Sequence, residues 1–375
     1  MKDRQNSQHK RIVISGGGTG GHIFPAIAIA DALRRHIPDV EILFVGAKGR
    51  MEMERVPKAG YPIEGLWISG FKREFSLDNL SFPFKLLSSM IKARRIIRRF
   101  KPDVAVGVGG FASGPTMRAA ASAGVPIVIQ EQNSYPGVTN KIMCRKAEKI
   151  CVAYDNMDKW FPAEKIIVTG NPLRNVIQTD NISHNEAVRF FGLDPEKPVI
   201  LLIGGSQGAL GINKGISAKL DLFKDNGIQL IWQTGKFYID QAKKEVEAMG
   251  LSDRIKPVVF IDSMDKAYAA ADIVISRAGA ISISELAIVK KPVIFVPLPT
   301  AAEDHQTKNA QRLVDADAAV IVKNSETEEK LLPTAIELIN DKDRCAEMGD
   351  NIGIFARPDA ADAVARQIIE ILNNK

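Results

Sequence analysis

Short runs of apolar residues, bounded by glycine or proline, recur along the whole chain. They are rich in Val and Ile and do not alternate with polar residues, which is typical of strands buried on both faces of a parallel sheet. Helix-like stretches such as 26–36 and 306–316 lie between many of them, and this alternation predicts a doubly wound α/β fold. The predicted strands are residues 11–16, 40–46, 103–109, 126–132, 149–154 and 165–172, followed by 199–205, 228–235, 258–262, 272–276, 292–299 and 318–322.

The two series of predicted strands begin in the same way. Each opens with an apolar strand that runs into a glycine-rich loop and then a helix, as RIVISGGGTGGH in the first half and VILLIGGSQGALG in the second. A length of 375 residues suits two ordinary domains better than one. We therefore expect two Rossmann-like halves, with the boundary near residues 169–175, where Gly and Pro interrupt the pattern.

The composition is that of a globular protein with a proper core, since 45% of the residues are hydrophobic and 25% are charged. No apolar run approaches the ~20 residues needed to span a bilayer, and the N-terminus shows no apolar stretch of signal-peptide length. Cys144, Cys151 and Cys345 form no CxxC pair, so we expect reduced thiols in a cytosolic protein.

Positive charge is concentrated in one stretch of the sequence. Residues 71–101 hold nine basic and two acidic residues, whereas the other 344 residues hold 41 basic and 42 acidic ones. Aliphatic residues and Phe surround these charges, rather than interleaved Tyr, Gly and Ser. We therefore expect no nucleic-acid partner, although a basic patch usually suggests one first.

Residues 16–21 satisfy the pattern G-x-G-x-x-G and lie between a predicted strand and a helix. Glycines there allow a tight turn and let backbone N–H groups approach a phosphate at a helix N-terminus. An NAD-dependent oxidoreductase also needs an acid at the end of the second strand, and LFVGAKGR has none at its tip. A turn that only packs a helix against a strand is the simpler alternative, but five glycines in six positions exceed that need.

Several other predicted strands also run into loops of Gly, Ser and small residues, at 107–115, 204–208 and 276–287. In open α/β sheets, ligands bind at the carboxyl ends of the strands. The pattern therefore predicts a nucleotide-diphosphate site, in a cleft between the two halves.

Seven motifs, in order along residues 16–310, together resemble the MurG family of bacterial N-acetylglucosaminyltransferases. They are GGGTGGHIFPA, GVGGFASGP, EQNSYPG, GNPLR, GGSQGA, SRAGAISISELA and EDHQTKNA. The resemblance implies the GT-B fold, in which two Rossmann-like domains enclose a deep cleft. It implies an acceptor- and membrane-binding domain at residues 1–172 and a UDP-sugar-binding domain at 173–354, with the last helix, about 355–375, returning to the first domain.

The resemblance also implies a reaction. N-acetylglucosamine moves from UDP-GlcNAc to the muramyl C4 hydroxyl of undecaprenyl-linked lipid I, with inversion at the anomeric carbon. The product is lipid II, used in peptidoglycan synthesis, and no cofactor takes part.

An inverting sugar transfer needs a base that takes the proton of the acceptor hydroxyl. His22 follows the glycine loop at a helix start, where the positive end of the helix dipole disfavours the charged imidazolium, so a neutral ring can act as this base. Glu131, in QEQN, is the alternative base, whereas the position of Asp103 just before a strand argues against it as a further candidate. His22 could instead form only a local hydrogen bond or contact the acceptor diphosphate.

Glu285 has two interpretations. It is the third residue after Ser282, so the sequence SISE fits a capping box at a helix start. The resemblance instead implies that this carboxylate accepts hydrogen bonds from the ribose hydroxyls of the donor, which is the role that we favour.

The resemblance implies further contacts with the nucleotide sugar. Ser206 and the backbone at 280–282 approach the diphosphate, and Ile261 borders the uracil. Arg174 matches another contact, with a plain surface charge as the alternative. The glutamine pair of the family is His305-Gln306 here, so Gln306 carries over to a sugar contact and His305 departs from the pattern. The remaining matched positions are Thr19, Gly20, Gly21, Asn133, Ala280, Ile281, Ser282, Ile283 and Ser284.

The sequence DAD at 315–317 looks like the metal-binding DxD of other glycosyltransferases. It lies at the end of a helix-like segment and away from every glycine loop, so we interpret it as a solvated helix end. No other cluster of His, Cys, Asp or Glu has ligand spacing. We therefore expect helix dipoles, backbone N–H groups and Arg174 to neutralise the diphosphate without a metal.

Residues 81–101 contain no acid. If this segment is helical, it carries one apolar stripe, with basic residues largely off the stripe. An ordinary surface helix explains the stripe, but not the missing acids or the preceding loop rich in Phe and Leu. An acceptor in the cytoplasmic leaflet explains both, so we expect a peripheral protein that docks on the anionic membrane surface through residues 75–101. The stripe consists of Leu86, Met90, Ile97 and Phe100.

Other functions fit these patterns less well. A UDP-sugar epimerase or a glycolipid synthase shares the fold, but an epimerase has no use for an amphipathic basic patch. A non-catalytic membrane scaffold explains that patch but not the glycine loops, and an NAD oxidoreductase lacks the ribose acid.

Overall fold

The computed structural model describes residues 9–70, 81–173, 181–205, 208–301 and 304–374. The chain divides into two compact units. Unit 1 is Met1–Asn175 together with Arg357–Lys375, and unit 2 is Val176–Ala356. We expected the boundary between residues 172 and 173, and a last helix that returns to the first domain.

Unit 1 is built on a parallel sheet. Among the described residues its strands are β1 (Arg11–Gly16), β2 (Glu41–Ala47), β3 (Ile63–Leu66), β4 (Val104–Gly109), β5 (Ile127–Glu131), β6 (Lys149–Val152) and β7 (Ile166–Val168). They lie in the order β3-β2-β1-β4-β5-β6-β7, and each neighbouring pair is parallel. The carboxyl ends of these strands therefore share one edge of the sheet.

Helices cover both faces of the unit 1 sheet. The described ones before the domain boundary are α1 (Gly20–His36), α2 (Glu52–Lys58), α3 (Phe82–Phe100), α4 (Ser113–Ser122) and α5 (Val138–Met143). Successive strand residues point to opposite faces, so Ile12 and Ile14 pack in the core beneath α1, whereas Val13 packs in the core beneath α3 and α4. This two-sided burial explains why the strands read as uninterrupted apolar runs.

Unit 2 repeats the same architecture. Its described strands are β8 (Val199–Ile203), β9 (Gln229–Gln233), β10 (Ile255–Val258), β11 (Ile273–Ser276), β12 (Val293–Phe295) and β13 (Val320–Ile321). Their order is β10-β9-β8-β11-β12-β13, with every pair parallel. Ile200 and Leu202 face one core, and Val199 and Leu201 face the other. The helices are α6 (His184–Phe190), α7 (Leu210–Ser217), α8 (Asp221–Asp225), α9 (Ile239–Ala248), α10 (Met264–Ala270), α11 (Ala280–Val289), α12 (His305–Val314), α13 (Leu332–Asn340) and α14 (Lys342–Gly353).

The last helix, α15 (Ala360–Asn373), packs in unit 1. Val364 and Ile368 are fully buried in the same core as β1 and α1. At the surface, the Asp362 carboxylate accepts hydrogen bonds from Arg35 at 3.0 Å and from the His36 ring at 2.9 Å. Unit 1 therefore combines the beginning of the chain with its end.

The structure confirms the doubly wound α/β fold of two Rossmann-like domains, with two local differences from the predicted strands. The strand predicted at 258–262 is wrong, because β10 ends at Val258 and the next two residues, Val259 and Phe260, are 43% and 53% exposed. The apolar residues that follow this edge strand gave the same sequence pattern as a buried strand. The short strand β3 was missed, because it spans four residues and includes Glu64.

Candidate functional site

The carboxyl edge of the unit 1 sheet carries the loops that follow β1, β4 and β5. These strands are neighbours in the sheet, so their loops meet. Gly17 and Gly110 touch so closely that a side-chain carbon at Gly110 would overlap the Gly17 carbonyl oxygen. The side-chain amide of Gln132 donates to the Val108 carbonyl at 2.9 Å. These contacts join the three loops into one surface.

His22 lies in the first turn of α1, directly after the glycine loop, and is half-buried. Its Nδ1 lies 3.2 Å from Thr19 Oγ1. The rest of the ring lies against Gly109, where an added β-carbon would be 2.8 Å from the ring Cδ2 and 2.9 Å from Nε2. Gly109 has a φ of +94°, so both its backbone and the neighbouring ring require glycine. The ring orientation is therefore fixed from two sides.

The matched positions around His22 are accessible. Thr19 is the extended N-cap residue of α1, and both it and Gly21 are exposed, whereas Gly20 is half-buried. The first turn of a helix presents N–H groups and the positive end of the dipole. This part of the loop can receive a polar or anionic ligand group.

Glu52, which our sequence analysis missed, lies beneath the glycine loop. It is fully buried at the first residue of α2. The Gly18 N–H donates to its Oε2 and the Ala47 N–H donates to its Oε1, each at 3.0 Å. The Gly18 N–H is therefore used inside the protein, not offered to a phosphate. The feature of the sequence that could have identified Glu52 was the position of an acid five residues after the end of β2.

Glu131, the alternative base, is only 2% exposed. Its Oε1 accepts the backbone N–H and the side-chain amide of Asn133, at 3.0 and 3.2 Å. Its Oε2 accepts the Gly137 N–H at 3.0 Å and the Asn140 side-chain amide at 2.8 Å. Burial raises the pKa of Glu131. Since both oxygens already have donors, this carboxylate shapes the loop after β5, and the geometry favours His22 as the base.

Asp103, the further candidate base, lies at the wrong edge of the sheet. Its Oδ2 accepts the Arg11 N–H at 2.8 Å, where β1 begins. The amino edge is opposite to the glycine loops, so the sheet does not bring Asp103 together with His22 and Glu131. Its position just before a strand, not after one, was the sequence signal for this outcome.

In unit 2, α11 begins directly after the loop that follows β11. Gly279 is its N-cap residue, with an extended backbone and no side-chain cap hydrogen bond. Ser282 and Glu285 are therefore the third and sixth residues of the helix. The capping-box interpretation is wrong, because the helix begins before the residue that would have capped it.

Glu285 is half-buried, and the fully buried Tyr268 donates its hydroxyl to Glu285 Oε2 at 3.4 Å. Burial raises the pKa of Glu285 to about 7. A carboxylate has about four acceptor positions, and this hydrogen bond is long. Glu285 therefore retains acceptor capacity for ligand hydroxyls, and a perturbed carboxyl group of this kind is common at functional sites.

The start of α11 combines a helix N-terminus with a nearby cation. Ala280 and Ile283 are buried, whereas the other matched positions, Ile281, Ser282 and Ser284, are half-buried. Sequence reasoning missed Arg277, in the loop before the helix, whose guanidinium donates to the Val296 and Pro297 carbonyls at 2.9 and 3.1 Å. Burial lowers the pKa of Arg277 to about 10, so the side chain stays charged at neutral pH. The feature of the sequence that could have identified Arg277 was its position directly after β11.

The remaining matched positions of unit 2 differ in what they can offer. The Ile261 side chain is 3% exposed and belongs to the core, so a uracil contact there has to come from the backbone. Gln306 Oε1 accepts the Leu298 N–H at 2.9 Å, which leaves its side-chain NH₂ as the group for a sugar. His305 is half-buried at the first residue of α12. Arg174 and Ser206 lie outside the described residues.

The DAD sequence lies where the sequence indicated. Asp315 and Asp317 are exposed just after the last residue of α12, so the interpretation as a helix end is confirmed. Across the described ranges, no group of three or more His, Cys, Asp and Glu side chains could hold a metal ion.

Helix α3 carries the basic stretch, and its apolar stripe differs from the predicted one. Ile97 is buried as expected, but Met90 and Phe100 are half-buried and Leu86 is 38% exposed. Two of the buried positions of α3 carry small side chains, and the helix packs beside α4. The buried residues are Ser89, Ala93, Ile96 and Ile97.

The other side of α3 exposes large apolar residues beside basic ones. Phe84 and Leu87 are 71% and 62% exposed, and Arg94, Arg95 and Arg98 are exposed further along the helix. The preceding residues 71–80, which include part of the predicted docking segment, lie outside the described residues. No helix within the described ranges is long and apolar enough to cross a membrane.

Comparisons with known proteins match both units. Residues 12–152 match the glycosyltransferase family 28 N-terminal domain, and residues 199–364 match the glycosyltransferase family 28 C-terminal domain.

Two similar curated proteins carry one name, UDP-N-acetylglucosamine–N-acetylmuramyl-(pentapeptide) pyrophosphoryl-undecaprenol N-acetylglucosamine transferase. The protein from Parabacteroides distasonis is 53% identical, over 97% of this chain and 99% of that protein. The one from Bacteroides fragilis strain NCTC 9343 is 54% identical, over 96% and 95%. A crystal structure of Acinetobacter baumannii MurG is similar with a TM-score of 0.78 and 29% identity, over 96% of this chain and 99% of that chain.

Proposed function

The chain belongs to glycosyltransferase family 28, and we propose that it transfers N-acetylglucosamine from UDP-GlcNAc to the C4 hydroxyl of the muramyl sugar of lipid I. The product is lipid II, a precursor of peptidoglycan. The observation that carries this proposal is the similarity to transferases of that name along nearly the whole chain.

His22 is the proposed base of the reaction. The acceptor hydroxyl oxygen attacks the anomeric carbon of N-acetylglucosamine, and the bond from that carbon to UDP breaks, so the configuration inverts. The hydroxyl proton passes to the ring of His22, and UDP leaves with the bonding electrons. The contacts with Thr19 and Gly109 support this role, because a general base has to be held in a fixed orientation.

Unit 2 is the proposed donor-binding domain. The carboxylate of Glu285 accepts hydrogen bonds from the ribose hydroxyls, and the N-terminus of α11 stabilises the negative diphosphate through its N–H groups and dipole. Arg277, two residues before the N-cap residue of α11, adds a positive charge that the Val296 and Pro297 carbonyls hold in place. Ser206, the Ile261 backbone, His305 and Gln306 carry the further donor contacts that the resemblance implies.

Unit 1 is the proposed acceptor-binding domain. Its Thr19, Gly20, Gly21, Asn133 and Arg174 supply the further nucleotide-sugar contacts that the resemblance implies. The unit docks on the cytoplasmic face of the cell membrane through residues 75–101. A groove of roughly 510 Å³ beside α3 supports this, because Phe84, Leu87 and Ile91 line it together with Lys92, Arg95 and Arg99. Apolar side chains can enter the lipid interface while cations approach lipid phosphates.

Product analysis tests the transferase proposal. The protein is mixed with UDP-GlcNAc and a short-chain lipid I analogue, and the products are separated and identified by mass spectrometry. We expect a disaccharide lipid together with free UDP. A reaction of UDP-GlcNAc alone that forms an isomeric UDP-sugar would identify an epimerase, and transfer only to another lipid acceptor would identify a glycolipid synthase.

Vesicle co-sedimentation tests the membrane proposal. Changing Arg94, Arg95, Arg98 and Arg99 to Gln should release the protein from anionic vesicles, because each basic residue near anionic lipid contributes about 1 kcal/mol. UDP binding serves as the control and should not change. Equal binding of the unmodified protein to neutral and anionic vesicles would exclude this surface as an electrostatic dock.

A further inference from the structure

The buried carboxylate of Glu52 has no part in the roles assigned above. A fully buried carboxylate is costly unless its oxygens accept hydrogen bonds. Here the donors are the backbone N–H groups of Gly18, in the loop after β1, and of Ala47, the last residue of the neighbouring strand β2. Glu52 therefore ties the glycine loop to the rest of unit 1.

The glycine loop in turn touches the loop that orients His22. Gly17 is in close contact with Gly110, and the adjacent Gly109 lies against the His22 ring. A series of contacts thus connects the Glu52 carboxylate to the His22 ring. It passes first through Gly17 and Gly18 and then through Gly109 and Gly110. A displacement of the loop at Gly18 would change the surface on which the ring rests.

We propose that Glu52 is a positioning residue for the transfer reaction, which holds the glycine loop in the shape that orients His22. This inference rests on the proposed function, because it assigns Glu52 a role in the same proton transfer. Glu52 acts through the loop and does not touch the substrate.

The arrangement also accounts for two of the glycines. A β-carbon at Gly17 would overlap Glu52 Oε1, so this position has to be glycine as long as the carboxylate is present. Gly18 has a φ of +90°, which aims its N–H at Oε2. The negative charge lies near the N-terminus of α1, where the helix dipole favours it. The protein's own carboxylate thus accepts the loop N–H that a substrate phosphate would accept in a nucleotide-binding loop.

Steady-state kinetics with both substrates tests the proposal on the full-length protein. We expect Glu52→Ala to lower kcat by about 100-fold, the scale of loss from a small misplacement of reacting groups. Glu52→Gln keeps one acceptor oxygen and should lose less. UDP affinity, measured by calorimetry, should stay nearly the same for both variants, because the proposed ribose contact of Glu285 and the diphosphate contacts of α11 belong to unit 2. Glu54→Gln is the matched control, since Glu54 is exposed on the same helix and pairs with Lys58.

A double-variant cycle separates positioning from simple stability. Gly17→Ala should lower kcat in the unmodified protein, because its methyl group displaces the carboxylate. In the Glu52→Ala protein the same methyl group has room, so its additional effect on kcat should be smaller. All rates are measured well below the unfolding temperature of each variant, which is recorded separately.

The outcomes distinguish this inference from the proposed function. If the unmodified protein makes no disaccharide lipid, the proposed function fails. If it is active and folded Glu52→Gln and Glu52→Ala keep its kcat, with only a lower unfolding temperature, the positioning role is overturned. If Glu52→Ala does not fold, Glu52→Gln and Gly17→Ala decide, and unchanged kcat in both overturns the proposal.

Discussion

Glu131 in unit 1 and Glu285 in unit 2 are two acids at the carboxyl edges of similar sheets, the first buried and the second half-buried, and their surroundings are opposite. Glu131 accepts four hydrogen bonds from three residues of its own loop region. Among the described residues, Glu285 accepts one side-chain hydrogen bond, a long one from Tyr268. Burial raises the pKa of both.

The difference shows that burial alone does not identify a functional acid. A carboxylate whose two oxygens each accept a hydrogen bond of about 3 Å from the protein organises a loop, as at Glu131 and also at Glu52. A carboxylate that is desolvated but incompletely hydrogen-bonded, as at Glu285, is suited to accept donors from a ligand. The four predictions below test this comparison.

The largest effect should come from His22, the group that remains as base once Glu131 is assigned to the loop. His22→Ala should lower turnover by about 10²–10⁴-fold, the usual contribution of a general base. UDP affinity should hardly change. If turnover stays within a few-fold of the unmodified enzyme, Glu131 becomes the better candidate for the base. The contrast between Glu131 and Glu285 would then be contradicted.

The next effect concerns donor binding. Glu285→Ala should weaken UDP binding by about 1–3 kcal/mol, since the ribose hydroxyls lose their acceptor. Titration calorimetry measures the affinity, and circular dichroism checks that the fold is intact. Glu131→Ala is the contrasting variant, and an equal loss of UDP affinity there would mean that the two acids are not functionally different.

The free energy of unfolding should change in opposite directions when each of the two acids is replaced by Gln. Glu131→Gln should lower the free energy of unfolding by about 1–3 kcal/mol, because its NH₂ group meets N–H donors. Glu285 has a folded pKa raised to about 7 from the ordinary 4.5, so its stabilising proton is present below 4.5 and is lost as pH rises through 7. Glu285→Gln should therefore raise stability at pH 8. Denaturant unfolding at pH 8 measures both changes, and a loss in both variants would contradict the assignment.

The smallest effect is a pH dependence of UDP binding. In the proposed site the ribose hydroxyls donate to the ionised form of Glu285, whose pKa is about 7, so affinity should fall by about tenfold between pH 8 and pH 6. Calorimetry across this range measures it. The Glu285→Gln protein is the control for titration of the nucleotide itself, and identical profiles for the two proteins would show that Glu285 does not titrate at the site.

Local patterns in the sequence predicted the repeated framework. Val13 and its neighbours in β1 read as one apolar run because both faces of the sheet are covered, and the glycines after β1 marked its carboxyl end. The end of the edge strand of unit 2 was not predicted correctly. Val259 and Phe260 have the apolar character of strand residues, although they are exposed to solvent beyond the end of β10.

The site was predicted only in part, because its acids are distinguished by contacts between distant residues. Glu52 and Gly18 are 34 residues apart, and the surrounding MEMERVPK resembles an ordinary surface helix. Tyr268 lies 17 residues before Glu285 and carries no motif. The capping box at Ser282 failed for a local reason, since Gly279 already served as the N-cap residue.

The position of α15 has a consequence for biosynthesis. Val364, Ala365, Ile368 and Leu372 complete the hydrophobic core beneath β1 and α1, yet they are translated after all of unit 2. Domains commonly fold in the order in which they leave the ribosome. Here unit 2, which is contiguous in sequence, can complete its folding first. The nascent unit 1 keeps an exposed apolar face until the last helix leaves the ribosome. A stop codon that removes α15 therefore damages the oldest part of the polypeptide, not the youngest.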